Sequence, residues 1–391
     1  MINFDNTEIA FKNKSDKDLK QAYWLFKAVA SPTFVKLGKF TTNFAINTKL
    51  PIKSLIKKTI FKQFCGGEFI DECNQTTQSL YDFSIGTILD YSIEGKTTDE
   101  DFEATVNEII ATIEKGKSKE SIPFAVFKVT GISRFDTLEK ANKGESLLSD
   151  KDKFALNEVK ERVDRICKKA FEADQPIFID AEETWIQDTI DRIVHEMMEK
   201  YNKSKAIVFN TLQMYRHDRL VFLKNMIQEA KVKNYFYGVK LVRGAYMEKE
   251  RERAKQKNYP SPIQPNKAAT DNDFNNALAL IIKNIDVVSL CAGTHNEDSS
   301  LFLTQLMKKS NVELEDNHVY FAQLLGMSDH ISYNLSDAGY NVAKYVPYGP
   351  VNEVLPYLLR RAEENTSVAG QTSRELDLIT KELNRRKKLN K

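Results

Sequence analysis

From about residue 85 onward, short apolar, β-branched runs alternate with amphipathic helical stretches, and the alternation repeats eight times. The pattern predicts strands near residues 87–93, 124–129, 177–181, 207–212, 239–242, 287–291, 318–324 and 342–346. Helical stretches follow them, among them 99–114 after the first, 184–201 after the third and 351–365 after the last. Strands joined through helices imply a parallel sheet. Eight such units favour a closed, distorted (βα)8 TIM barrel of the α/β class over an open doubly wound sheet.

The 391 residues, 41% of them hydrophobic, suffice for one large barrel and an additional piece. Residues 1–84 read as an N-terminal helical arm with breaks at Ser31-Pro32 and Leu50-Pro51. Residues 85–370 read as the barrel. Residues 371–391 read as a charged helix or tail ending in Arg385, Arg386, Lys387 and Lys388, a composition expected of a solvated terminus. Between Ser31 and Gly67 stand seven lysines and no acidic residue, interleaved with Phe34, Phe40, Phe44, Phe61 and Phe64. A cationic surface for a membrane or partner fits this segment. Helices that solvate their lysines and pack their phenylalanines fit it better.

Basic and acidic residues nearly balance, 57 against 55, so bulk charge argues for no nucleic-acid partner. Cys65, Cys73, Cys167 and Cys291 form no CxxC pair, which fits a reducing compartment and buried thiols. The first residues carry Asp5 and Glu8 without the pattern of a secretory or transit peptide. No apolar run approaches the roughly 20 residues that cross a bilayer. A cytoplasmic protein is expected, at most peripheral on a membrane.

Active-site residues of such barrels stand at the C-terminal ends of the strands. Polar residues are dense there: Asp90 and Glu94, Lys128, Asp180 with Glu182 and Glu183, Gln213 and Tyr215, then Lys240, Arg243 and Tyr246. Thr294, His295 and Asn296, Gln323, Tyr345 and Tyr348 follow. Taken singly, each is more readily a solvated loop residue or a local salt bridge. Lys128 lies within the apolar run PFAVFKVT, where an unpaired ammonium is costly; Asp180 is its natural partner. Arg360 and Arg361 follow VLPYLL, one turn after Tyr357. They suit a fork for an anionic group, or a surface salt bridge to Glu363 or Glu364.

Other motifs fail. His195-Glu196 lacks the second histidine of a zinc-binding helix. No GxGxxG, GxxxxGK[ST] or GxSxG occurs, so any dinucleotide would be held by barrel loops, and no metal is expected.

Taken in order, ILDYSIEG (88–95), FKVTG (127–131), IDAEE (179–183), QMY (213–215), KLVRGAY (240–246), GTHN (293–296), YVPYG (345–349) and YLLRRAEEN (357–365) resemble the proline dehydrogenase family. The resemblance implies a barrel with non-covalent FAD that oxidises L-proline to 1-pyrroline-5-carboxylate by hydride transfer from C5 to the flavin. It assigns Arg360 and Arg361 to the substrate carboxylate, Lys128 and Asp180 to the polar substrate floor, and Tyr345, Tyr357 and Leu241 to the walls around the ring. Glu94 resembles a gate carboxylate that pairs with Arg360. Gln213, Lys240, Arg243, Ala245, Tyr246, Thr294, His295 and Glu364 match the flavin side. Many bacterial members carry Arg where Lys240 stands and Lys where Arg243 stands, which keeps a cation at both places but alters the hydrogen bond near the flavin N5.

Hydroxyproline dehydrogenase is the nearest alternative, though the Tyr345 ring would crowd a substituent on C4. A catalytically silent flavin-binding regulator is the other. The family leads one to expect a quinone electron acceptor and a 1-pyrroline-5-carboxylate dehydrogenase partner on a separate chain, with the lysine-rich segment 36–62 a candidate membrane contact.

Overall fold

A computed structural model describes residues 2–29, 56–93, 97–367 and 371–389. The eight strands are β1 (Ile85–Tyr91), β2 (Phe124–Phe127), β3 (Ile177–Ile179), β4 (Val208–Gln213), β5 (Tyr237–Val242), β6 (Val288–Gly293), β7 (Val319–Leu324) and β8 (Val342–Tyr348). They follow one another in chain order around a closed barrel. The fold class expected from the alternating pattern is therefore the one observed. By contact, the chain divides into two compact units, one made of Met1–Glu94 with Gln323–Lys391 and the other of Gly95–Ala322.

In the unit Gly95–Ala322, strands β2 to β7 pair in parallel, with Ala125 opposite Ile177, Ile177 opposite Val208, Phe209 opposite Gly238, Lys240 opposite Cys291 and Leu290 opposite Val319. Aromatic side chains pack this part of the core. The rings of Phe124 and Phe178 stack at 4.4 Å, and Phe209 and Tyr320 meet Phe124 edge-on at 5.6 and 4.8 Å. Offset and edge-to-face contacts of this kind stabilise beyond their buried area. Gly238 is part of this packing: a Cβ there would come within 2.7 Å of the Phe209 ring. Four of this unit's helices begin on side-chain caps. Thr98, Ser149, Asn266 and Asn296 accept backbone N–H groups of the first turns they precede, satisfying donors with no partner inside the helix.

In the other unit, β1 and β8 pair in parallel from Ile85 and Val342 to Tyr91 and Tyr348. The stretch Cys65-Gly66-Gly67 runs beside the end of β8, where Gly66 N–H donates to the Pro347 carbonyl at 2.9 Å. Phe61 and Phe64 are buried in one cluster with Met327, Val351, Val354, Tyr357 and Leu358, as the packing alternative anticipated for them. Phe34, Phe40, Phe44 and most of the lysine-rich segment lie outside the described residues. Of its lysines, Lys57 is paired with Glu68 at 2.7 Å and Lys62 with Asp18 at 3.5 Å.

Two expectations are corrected. The terminal helix Gln371–Leu389 is not simply solvated: Leu378 and Ile379 are buried with Phe11, Leu19 and Phe26 of the N-terminal helices. Its charged face is engaged too, since Arg386 donates to the Phe11 and Lys14 carbonyls and to Asp16. An amphipathic helix buries its apolar stripe wherever a partner is available, and the run of terminal charges hid that stripe. Strand β2 ends at Phe127, so Lys128 stands in the loop after it, half-buried, rather than inside the strand.

Candidate active site

Lys240 points from β5 with 4% of its surface exposed. Its ammonium donates to the carboxylate of Asp180, just past β3, and lies 5.3 Å from the centre of the Phe178 ring. A buried cation needs such compensation. The Asp180 main chain is itself fixed, its N–H donating to the Phe127 carbonyl at 2.9 Å.

At the end of β4, Gln213 is buried and uses both ends of its amide. Its Nε2 donates to the Glu182 carbonyl at 2.7 Å, and its Oε1 accepts the Ala245 N–H at 3.3 Å. Between Arg243 and Ala245 stands Gly244 with φ +131°. A side chain is disfavoured there by conformation, and a Cβ would fall 2.6 Å from the Tyr215 ring. Leu241 is wholly buried beside Lys240, and Tyr246 stands at the start of the helix Met247–Lys257.

Arg243 is held on three sides. Its Nε donates to Asp271 at 2.7 Å, Nη1 to the Thr294 hydroxyl at 2.6 Å and Nη2 to the Ser299 hydroxyl at 2.9 Å, while the guanidinium covers the Phe274 ring at 4.5 Å. Burial pushes the Asp271 carboxyl up, but the bonds from Lys267 and Arg243 outweigh it and hold the group below the usual range. The GTHN motif thus has a local logic. Gly293 closes β6, Thr294 receives Arg243, and Asn296 caps the helix Glu297–Lys309 by accepting Ser299 N–H at 2.8 Å. His295 stands between them, half-buried.

The Glu182 carboxylate is enclosed. It accepts the Thr130 N–H at 3.0 Å and the Thr130 hydroxyl. Burial pushes its carboxyl up to about 7, against the opposing effects of the Thr130 bonds and the Lys128 charge.

In the unit that contains β1 and β8, Tyr345 and Tyr348 of β8 and Tyr357 of the helix Val351–Ser367 are buried. Tyr348 tilts against Tyr91 with ring centres 5.3 Å apart. Arg360, half-exposed, and Arg361 stand one turn beyond Tyr357 on that helix. The side chains of Arg361 and Glu364, and all of Glu94, lie outside the described residues.

Among the predicted residues, Lys240 is thus joined to Asp180, Gln213 to Ala245, and Arg243 to Thr294. Sequence reasoning missed Asp271 and Ser299, which fix Arg243, because neither lies in a motif that stands out; only their helical positions after β5 and β6 could have signalled them. It also missed the partner of Glu182, although Thr130 and Glu182 lie inside two motifs it singled out, FKVTG and IDAEE.

A closed parallel (βα)8 barrel with two fixed cations and a buried amide at its β3 to β6 loops defines an α/β-barrel with a polar, cation-rich strand-end site. A family model described as proline dehydrogenase matches residues 73–374. The chain belongs to the proline dehydrogenase family. It is 33% identical over 427 aligned positions to mitochondrial proline dehydrogenase 1 of Dictyostelium discoideum, covering 97% of this chain and 74% of the relative. To proline dehydrogenase 1 of Drosophila melanogaster it is 43% identical over 235 positions, 58% of this chain and about a third (34%) of that protein. A crystal structure of proline utilization A from Bdellovibrio bacteriovorus, inactivated by N-propargylglycine, matches with a TM-score of 0.72 at 19% identity, covering 92% of this chain and 38% of that one. This last likeness shows the fold.

Proposed function

We propose that the chain is an FAD-dependent proline dehydrogenase that takes the hydride from C5 of L-proline and yields 1-pyrroline-5-carboxylate. The observation that carries the reading is the buried Lys240–Asp180 pair at the strand ends, in a chain of this family. The residues present suit FAD. Lys240 and Arg243 supply fixed positive charge, Gln213 and the Ala245 N–H supply oriented polar groups, and Gly244 leaves a stretch of backbone without a Cβ. Tyr246, Thr294, His295 and Glu364 complete the set of residues that would hold it.

Bound FAD would supply the hydride acceptor; the protein supplies placement and electrostatics. In this reading Arg360 and Arg361 anchor the proline carboxylate, as planar forks suited to it. Tyr345, Tyr357 and Leu241 wall the ring, Lys128 and Asp180 form the polar floor, and Glu94 pairs with Arg360 as a gate. A cation fixed beforehand at Lys240 or Arg243 stabilises the negative charge that develops during transfer. A quinone is the proposed acceptor, and a separate 1-pyrroline-5-carboxylate dehydrogenase the proposed consumer of product.

No helix among the described residues is long and apolar enough to cross a membrane. We place the protein in the cytoplasm; the segment 36–62 is where a peripheral membrane contact would fall. Co-sedimentation with anionic liposomes, lost on charge reversal of Lys57 and Lys58, tests that contact. Turnover of proline against 4-hydroxyproline tests the substrate: the bulk of Tyr345 predicts a strong preference for proline, and a preference for hydroxyproline would reverse the assignment.

A further inference from the structure

Glu182 is enclosed at the candidate site, yet no role above belongs to it. All of its polar groups are committed. Besides the two bonds from Thr130, its N–H donates to Gln187 Oε1 at 2.7 Å and its carbonyl accepts Gln213 Nε2 at 2.7 Å. Thr130 is the middle residue of the turn Val129–Gly131, which begins directly after Lys128. The carboxylate therefore grips the segment that carries Lys128 two residues from that lysine, and the Lys128 charge acts on it directly. Two residues earlier in its own loop stands Asp180, the partner of Lys240.

We propose that Glu182 is a positioning residue for proline oxidation: by clamping Thr130 it fixes where the Lys128 ammonium stands, while its carbonyl sets the Gln213 amide. The proposal rests on the site reading given above. The protein contains an internal comparison. Glu250 makes the same pair of bonds, to Thr184 N–H at 2.7 Å and the Thr184 hydroxyl at 2.6 Å, but it caps the helix Thr184–Tyr201 and grips no segment carrying Lys128. A carboxylate–threonine clamp as such stabilises; only the one at Glu182 acts through Lys128.

The test is a double-mutant cycle on the FAD-loaded full chain, reading kcat/KM for proline, flavin content and Tm. Glu182→Gln removes the negative charge and one acceptor oxygen, so the Thr130 hydroxyl must turn from donor to acceptor to keep the second bond. It is expected to lower kcat/KM about tenfold in the wild-type background but less than about twofold in a Lys128→Ala background. Thr130→Val should reproduce this pattern and Thr130→Ser restore activity, and Thr130→Val carries the cycle where Glu182→Gln does not fold. Glu250→Gln should lower Tm with an equal, small effect on kcat/KM in both backgrounds. Equal losses from Glu182→Gln in both backgrounds overturn the inference. So does wild-type turnover by both Glu182→Gln and Thr130→Val while Lys128→Ala is impaired, which leaves the site reading intact. A Lys128→Ala variant as active as wild type overturns the site reading and this inference together.

Discussion

The ammonium of Lys240 on β5 is bonded to the carboxylate of Asp180 after β3, across the intervening strand β4, and rests 5.3 Å from the Phe178 ring. The pair ties a carboxylate at the candidate site to the aromatic packing of the barrel interior. Asp180 would be difficult to change without disturbing both.

Asp180→Asn should therefore destabilise the protein and not only slow it. Breaking a fully buried pair costs about 3–5 kcal/mol. Asp180 keeps some exposure, so about 2 kcal/mol is expected here. Chemical unfolding of the two proteins measures the difference, and an unchanged midpoint would mean that the pair adds nothing to stability.

Arg243→Lys should loosen the site because one ammonium cannot reproduce bonds to Asp271, Thr294 and Ser299 together. We expect flavin affinity to fall about tenfold, with a stability loss of about 1–2 kcal/mol. Fluorescence of released flavin on dilution follows the first, and thermal unfolding of the apoprotein the second.

The pH dependence of stability should carry a component from Glu182. Its folded-state carboxyl titrates at about 7, against about 4.3 in an unfolded chain. The folded form holds the proton through this interval while the unfolded form has lost it, so stability falls as pH rises from the unfolded to the folded value. The contribution is up to about 4 kcal/mol. Subtracting the pH profile of Glu182→Gln from that of the wild type isolates it, and a flat difference contradicts the assignment.

A second titration works in the opposite direction. Asp329 is buried against Lys344, whose ammonium it accepts at 2.7 Å, and against Lys14 at 3.2 Å. Burial pushes its carboxyl up, but the two lysines outweigh burial and hold it well below the usual range. The stability it contributes is full above the unfolded aspartate value of about 3.9 and is lost as pH falls. Asp329→Ala leaves Lys344, which is 0% exposed, hydrogen-bonded to the Met327 and Leu324 carbonyls and without its carboxylate bond. A loss of about 3–5 kcal/mol is expected, read as a lowered denaturation midpoint at pH 7.

The barrel was legible because its strands are apolar on both faces and separated by amphipathic helices. The end of β5 and the loop after it, where each cation alone was at least as compatible with a local salt bridge, were legible through the motif KLVRGAY, whose resemblance to the family carried Lys240, Arg243 and Tyr246. Lys344 was not. It lies one residue before the singled-out Tyr345, and its burial depends on the Asp329 carboxylate and the Met327 carbonyl, while Lys14 from the distant N-terminus pairs with the same carboxylate; none of these contacts is local in the chain. The hold of Asp271 and Ser299 on Arg243 and the packing of Leu378 against the N-terminal helices are likewise tertiary choices, which local pattern does not encode. Asp180 was read as the natural partner of Lys128 from strand adjacency; it accepts the Lys240 ammonium, two strands on from β3.

The most direct measurement is the visible absorbance of the purified, flavin-loaded protein on anaerobic addition of L-proline. Bleaching of the yellow band by proline, and its absence in an Arg361→Met variant that still binds FAD, is the predicted result. A band that persists in the wild type under excess proline, or an Arg361→Met variant that bleaches as readily, would contradict the account.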